Sequence, residues 1–227
     1  MAKARVTARR VLIETGLIES EDDIRAGIKA VRRKCPDLRR LHDLIGDPPL
    51  RRRPAGFEGL SRIIVGQQLS VASAAAIWGR LETTVAPFSA ETLLAASDTA
   101  LRSAGLSAGK VRTLRAAAAA VASGDLDVEN LSPLSDEAIH EHLTRVTGIG
   151  PWTADIFLMF CLGRRDAFAA GDLALQVATE AALDLGARPS AKELLVVAER
   201  WRPWRGVAAR LLWAYIPVLK KRTGLPV

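Results

Sequence analysis

LTRVTGIGPWTADIFLMFCLG, residues 143–163, is the stretch from which the rest of the chain can be read. Leu143 and Val146 lie on one face of a helix that stops at Thr147-Gly148. Pro151 opens a second helix, because its missing N–H and restrained φ suit a first helical position. Between the two, Gly148-Ile149-Gly150 is predicted to form a tight hairpin. The glycines take positive φ or let another backbone come close, and the apolar residue between them plugs the angle between the helices. The amides of Gly148, Gly150 and the following turn then face outward, and unpaired N–H groups at a helix start attract anions. A DNA phosphate is the natural occupant, with Thr147, Gly148, Ile149 and Gly150 as the contacting segment. Taken alone, Gly-x-Gly between helices is more often an ordinary turn, and the fuller string with its context reverses that.

Downstream, the loop RRDAFAAGD (164–172) ends on Asp172, 22 residues beyond Gly150, and leads into LALQVATEAALD. An aspartate in that place is a standard N-cap. The spacing also allows one helix and a return loop, which would bring a carboxylate back toward a nucleotide held at the hairpin. Two other acids compete for that part. Asp155 falls in the first turn after the hairpin, where it complements the helix dipole. Asp166 reads as a solvated member of an exposed loop with Arg164 and Arg165.

Elsewhere apolar residues recur at three and four, with Gly, Pro and Ser confined to short joints, so the pattern is all-α and contains no convincing strand. Residues 1–20 read as a basic arm, 21–34 and 36–46 as short helices, and DPPLRRRPAG (47–56) as a linker. Helices are predicted from Phe57 to the Gln67-Gln68 turn, over 71–85 with Ser70 as cap, and over 90–104, 109–123, 135–145, 151–162, 173–185, 190–200 and 204–221.

Of the 227 residues 49% are hydrophobic, enough for a real core, and 32 Lys and Arg against 25 Asp and Glu leave a charge of +7. That excess favours an anionic partner, although solubility alone would account for it. Two cysteines, Cys35 and Cys161, exclude a four-cysteine cluster and argue against a disulfide framework. His42, His140 and His142 show no metal-ligand spacing and read as surface residues, so no metal is expected. The N-terminal stretch lacks the apolar core of a signal peptide, and no apolar run reaches the roughly 18 residues of a membrane span. The expectation is a cytoplasmic protein with no membrane partner.

Four strings occur in order: IIVGQQLSVASAAAI (63–77), LTRVTGIGPWTAD (143–155), GDLAL (171–175) and AERWRPWRGVAARLLW (198–213). Together they resemble the helix-hairpin-helix-GPD superfamily of base-excision DNA glycosylases, in its 3-methyladenine DNA glycosylase II branch, over about residues 57–215. The resemblance implies an all-α fold with two helical lobes and a DNA-binding cleft between them. Residues 1–50 would pack with the C-terminal helices, 51–165 would form the lobe with the hairpin, and 166–227 would carry the catalytic acid and complete the second lobe. Asp172 corresponds to the family's catalytic aspartate. Trp152 stands where lyase branches carry a nucleophilic lysine, which points to a monofunctional enzyme, and it would line the base pocket. Trp213 corresponds to a second pocket aromatic, although LLWAYI also reads as core. Trp201 and Trp204 read as packing residues closing the Asp172 helix against the last one.

By the same resemblance, Gln68 and Gln67 are candidates for contacting DNA near the vacated base, with helix capping as the plainer reading. Leu106 or Ser107 in GLSAGK (105–110) would lie nearest the wedge that enters the duplex. Lys110, with Arg112 and Arg115, could grip phosphate or simply form a solvated face. The implied partner is double-stranded DNA with a damaged base, acted on by a monomer without a cofactor, a monovalent cation at the hairpin being compatible with bound DNA. Two alternatives stay open: excision of uracil, mismatched or oxidised bases on the same scaffold, and a DNA-binding module without chemistry.

Overall fold

The computed structural model describes residues 16–223. The reading of a basic N-terminal arm falls largely on residues 1–15, outside the described residues. Among those described the structure is helical, with one isolated antiparallel bridge between Leu17 and Arg164. No described helix is long and apolar enough to cross a membrane.

In chain order the helices are α1 (Glu21–Lys34), α2 (Pro36–Ile45), α3 (Gly56–Gly66), α4 (Val71–Thr84), α5 (Ala90–Ala95), α6 (Asp98–Ser103), α7 (Ala108–Ser123), α8 (Asp136–Thr144), α9 (Pro151–Phe160), α10 (Leu173–Leu183), α11 (Ala191–Ala198) and α12 (Arg205–Thr223). Short 3-10 turns occupy Val128–Asn130 and Glu199–Trp201. The chain divides into two compact units, one made of the residues up to Arg52 together with those from Gly163 on, the other of Arg53–Leu162.

In the Arg53–Leu162 unit, α9 is the central element. From Thr153 to Phe160 every residue but Asp155 is buried, and the helix packs on α3 and α8. α3 buries Phe57, Leu60, Ile63, Ile64 and Val65 and packs on α4, α7 and α9. Removing such side chains from water is worth roughly 1.5–3 kcal/mol each, which holds both ends of the hairpin on one core. In the other unit α12 plays the equivalent part, burying Val207, Ala208, Ala209, Leu211 and Leu212 and packing on α1, α2 and α10.

Helix starts follow local chemistry closely. Ser20, Ser70, Ser89, Ser97, Ser107, Ser135 and Ser190 each accept a backbone N–H three residues on, the N-cap bond that satisfies an orphan donor. Ser97 corrects one expectation: 90–104 is two helices, because Ala96 is extended and Ser97 caps a new one through the Ala100 N–H.

The loop after α9 also differs from its reading. Asp166 is not solvated: its carboxylate takes bonds from Arg205 Nε and Nη2 at 3.0 Å, and Arg202 reaches it as well. Arg164 is 1% exposed, and Arg165 lies over the Trp204 ring with its guanidinium 5.0 Å from the centroid. The loop is therefore braced to the start of α12. Trp201 is buried, edge-on to Phe168. Trp204 lies against Gly27 of α1, where an added Cβ would fall 2.7 Å from its ring.

Candidate nucleic-acid interface and carboxylate

The hairpin between α8 and α9 is closed by Ile149 N–H donating to Val146 O at 3.0 Å, and by Thr153 N–H donating back to Gly150 O at 3.0 Å. Ile149 is buried, whereas Thr147 and Gly148 are exposed. Among the described residues the amides of Gly148 and Gly150 find no acceptor within the protein. The two glycines are there for different reasons. Gly148 has φ of +88°, and a Cβ there would sit 2.0 Å from Thr113 Oγ1 on α7, so the fold itself excludes a side chain. Gly150 has φ of −98°, and a Cβ there would meet nothing within 4 Å. No protein atom demands glycine at 150, so its bare backbone faces outward.

Three segments of this unit converge on one open pocket of 380 Å³: Gln67-Gln68 after α3, the first turns of α7 from Ser107 to Thr113, and Thr147-Gly148 of the hairpin. Its charged lining residues are Lys110 and Arg112, both cationic. Lys110 donates from Nζ to Val65 O at 2.6 Å, capping the last turn of α3, and burial pulls its ammonium below the ordinary value. A positive pocket edged by the start of α7 and by orphan hairpin amides can hold an anion.

Gln67, Gln68, Ser107, Lys110, Thr147 and Gly148 thus come together, but with different freedom. Gln67 is tied inward, its Nε2 donating to Thr153 Oγ1 at 2.9 Å. Gln68 is exposed and held at φ of +55°, a left-handed conformation that costs a non-glycine residue roughly 1–2 kcal/mol. Ser107 caps α7. Leu106 does not belong to this surface. It is 4% exposed, because Gly105 at φ of +101° turns the chain so that the leucine enters the core, and it cannot enter a duplex without unpacking.

Two exposed apolar side chains beside Gln68 escaped the sequence reading, Leu69 at 39% and Val71 at 82%. The available signal was a pair of large apolar residues flanking the Ser70 cap, where a helix normally begins with polar ones.

The other unit carries Asp172 as the N-cap of α10. Its Oδ1 accepts the Leu175 N–H at 3.0 Å and the Trp213 indole Nε1–H at 3.0 Å. Both side chains are half-buried, and Leu173 beside them is 52% exposed. Of the rival acids, Asp166 is consumed by Arg202 and Arg205, and Asp155 faces His140 Nε2 at 3.7 Å. Trp152 is half-buried in the first turn of α9. Among the described residues no group of three His, Cys, Asp or Glu side chains is disposed to hold a metal.

Residues 61–204 match the family model described as HhH-GPD superfamily base excision DNA repair protein. The chain belongs to that superfamily. This HhH-GPD chain is 32% identical over 161 residues to DNA-3-methyladenine glycosylase 1 of Schizosaccharomyces pombe, covering 69% of this chain and 71% of that one. Among solved structures it is similar to a DNA-3-methyladenine glycosidase of Bacillus halodurans, at 34% identity and a TM-score of 0.73, covering 86% and 91% of the two chains. It is also similar to the S. pombe 3-methyladenine DNA glycosylase Mag1 in complex with abasic DNA, at 28% identity and a TM-score of 0.75, covering 84% and 94%. Two other curated relatives are matched over 33% and 62% of their own length. The HhH-GPD match takes in both the hairpin and Asp172.

Proposed function

We propose that this protein is a monofunctional DNA glycosylase, which flips an alkylated base of the 3-methyladenine type out of duplex DNA and hydrolyses its N-glycosidic bond. The observation that carries the reading is Asp172: a carboxylate that accepts from two neutral donors on the solvent-accessible start of α10, in a chain similar to proteins named DNA-3-methyladenine glycosylase and glycosidase. Seven other helices among the described residues are capped by serine, so capping alone does not call for a charge here.

The chemistry follows from the charge. A base in a duplex cannot be reached at its sugar bond, so the nucleotide is extruded at a cost of a few kcal/mol, least for a damaged base. The hairpin amides and the cationic pocket grip the backbone, while Gln68, Leu69 and Val71 are suited to fill or pry the stack, as apolar and polar wedges do elsewhere. Cleavage develops positive charge on the sugar, which the Asp172 carboxylate stabilises while it orients a water. A base alkylated on a ring nitrogen is already cationic and leaves without an acid, so one carboxylate suffices and no cofactor is required. Trp152 and Trp213 offer aromatic faces to a cationic purine, worth roughly 0.5–2 kcal/mol. An indole at 152 provides no amine to attack the sugar, so borohydride during turnover should trap no protein–DNA adduct.

Asp172→Asn tests the assignment without disturbing the fold. The Asn carbonyl still accepts from Leu175 and Trp213, and Asn caps helices as well as Asp. Release of 3-methyladenine from alkylated duplex should be abolished while affinity for abasic duplex is retained. Undiminished release would refute the reading.

A further inference from the structure

Trp213 lies on α12, 41 positions from Asp172, yet its indole N–H meets the same carboxylate oxygen that caps α10. We propose that Trp213 is a positioning residue for glycosidic cleavage, its N–H setting the plane of the Asp172 carboxylate. The inference rests on the assignment of Asp172 made above.

A single cap bond fixes one oxygen but lets the rest of the carboxylate swing, because the terminal torsion of an aspartate is broad. A second donor, arriving on that oxygen from a different helix, restricts the swing and so biases the direction of the other oxygen. The donor's chemistry is also suited to the task. Indole is a donor only and carries no charge, so it orients the anion without neutralising it. An arginine in the same place would orient it equally well and quench the charge that must face the sugar. Arg202 and Arg205, the basic side chains before and at the start of α12, are engaged by Asp166. Trp213 itself is held by α12, whose adjoining Leu211 and Leu212 are fully buried, so the donor is anchored in the core of its unit.

The test replaces Trp213 by 3-benzothienylalanine, introduced by amber suppression, which keeps the bicyclic ring and exchanges the N–H for sulfur. Single-turnover release of 7-methylguanine from a duplex should slow roughly 10- to 100-fold, the loss expected for one hydrogen bond to a charged group. Affinity for abasic duplex should be unchanged, the thermal midpoint should fall by no more than the few degrees that one such hydrogen bond is worth, and in the Asp172→Asn background the replacement should not lower affinity further. Release within twofold of the parent, with Asp172→Asn inactive, would overturn the positioning role and leave Asp172 standing. A parallel loss of DNA affinity would also overturn it, since packing and not the proton would then be responsible. Continued release by Asp172→Asn would remove the reading on which the proposal rests.

Discussion

Gly148 and Gly150 look alike in sequence, and the structure separates them into one glycine required by the fold and one left bare toward the outside. At 148 an alanine would have to adopt φ of +88° and bring its Cβ within 2.0 Å of Thr113 Oγ1 and 2.9 Å of Thr113 Cβ. The left-handed conformation costs roughly 1–2 kcal/mol and overpacking a further 1–3, so Gly148→Ala should lose about 2–5 kcal/mol of stability. Thr113→Ala removes the nearest atom but not the Cβ. The double variant should recover about 1–2 kcal/mol relative to additivity and keep the conformational strain. At 150 an alanine meets no atom within 4 Å and needs no unusual φ. The expected cost is below about 1 kcal/mol, from a poorer N-cap. Its methyl, however, projects where a phosphate would approach the hairpin amides. Urea unfolding followed by circular dichroism measures the first quantity, and titration of a fluorescent abasic duplex measures the second. Gly150→Ala should bind at least tenfold more weakly while folding normally. A Gly148→Ala protein within 1 kcal/mol of the parent, or a Gly150→Ala protein with parental affinity, would refute the division.

Gln68→Gly relieves a left-handed residue, so stability should stay level or rise by up to about 1 kcal/mol while base release falls tenfold or more; a clear loss of stability would show that the conformation is not strained. Asp166→Asn removes the charge that braces Arg202 and Arg205 and should cost roughly 2–3 kcal/mol in urea unfolding, against under 0.5 if the loop were solvated. The carboxyl of Asp23 is held below its ordinary value of 3.8 chiefly by the Glu19 backbone N–H and then by the Ser20 hydroxyl, with burial opposing. A depressed folded value means that this stabilisation is present above the unfolded value and disappears as pH falls through the folded one. Asp23→Asn should therefore flatten the stability–pH curve below about pH 4, and an unchanged slope would contradict the capping box.

The parts of this molecule that were legible in its sequence are those whose cause is local. Helix starts are written as Ser three residues before a donor, and the hairpin as glycine, apolar residue, glycine and proline, because orphan amides and positive φ are settled within a few residues. Where two local signals competed, the reading failed. Leu93, Leu94 and Leu101 continue an apolar stripe through 90–104, and only the cap formed by Ser97 breaks it. The larger misses are side chains whose partners arrive from other elements. Nothing near Asp166 announces Arg202 and Arg205, and nothing in GLSAGK says that Leu106 turns inward while Leu69 and Val71 stay exposed.

The same limit explains what became of the two residues singled out for chemistry. Asp172 and Trp213 are each read from a separate string, one as an acid and one as an aromatic wall. The bond between them depends on where α10 starts and on the rotational phase of α12, which is set by the faces those helices bury and not by either string. A motif records which residue types stand along one element. Contacts such as the one between Trp213 and Asp172 form where two elements meet, and no single string records them.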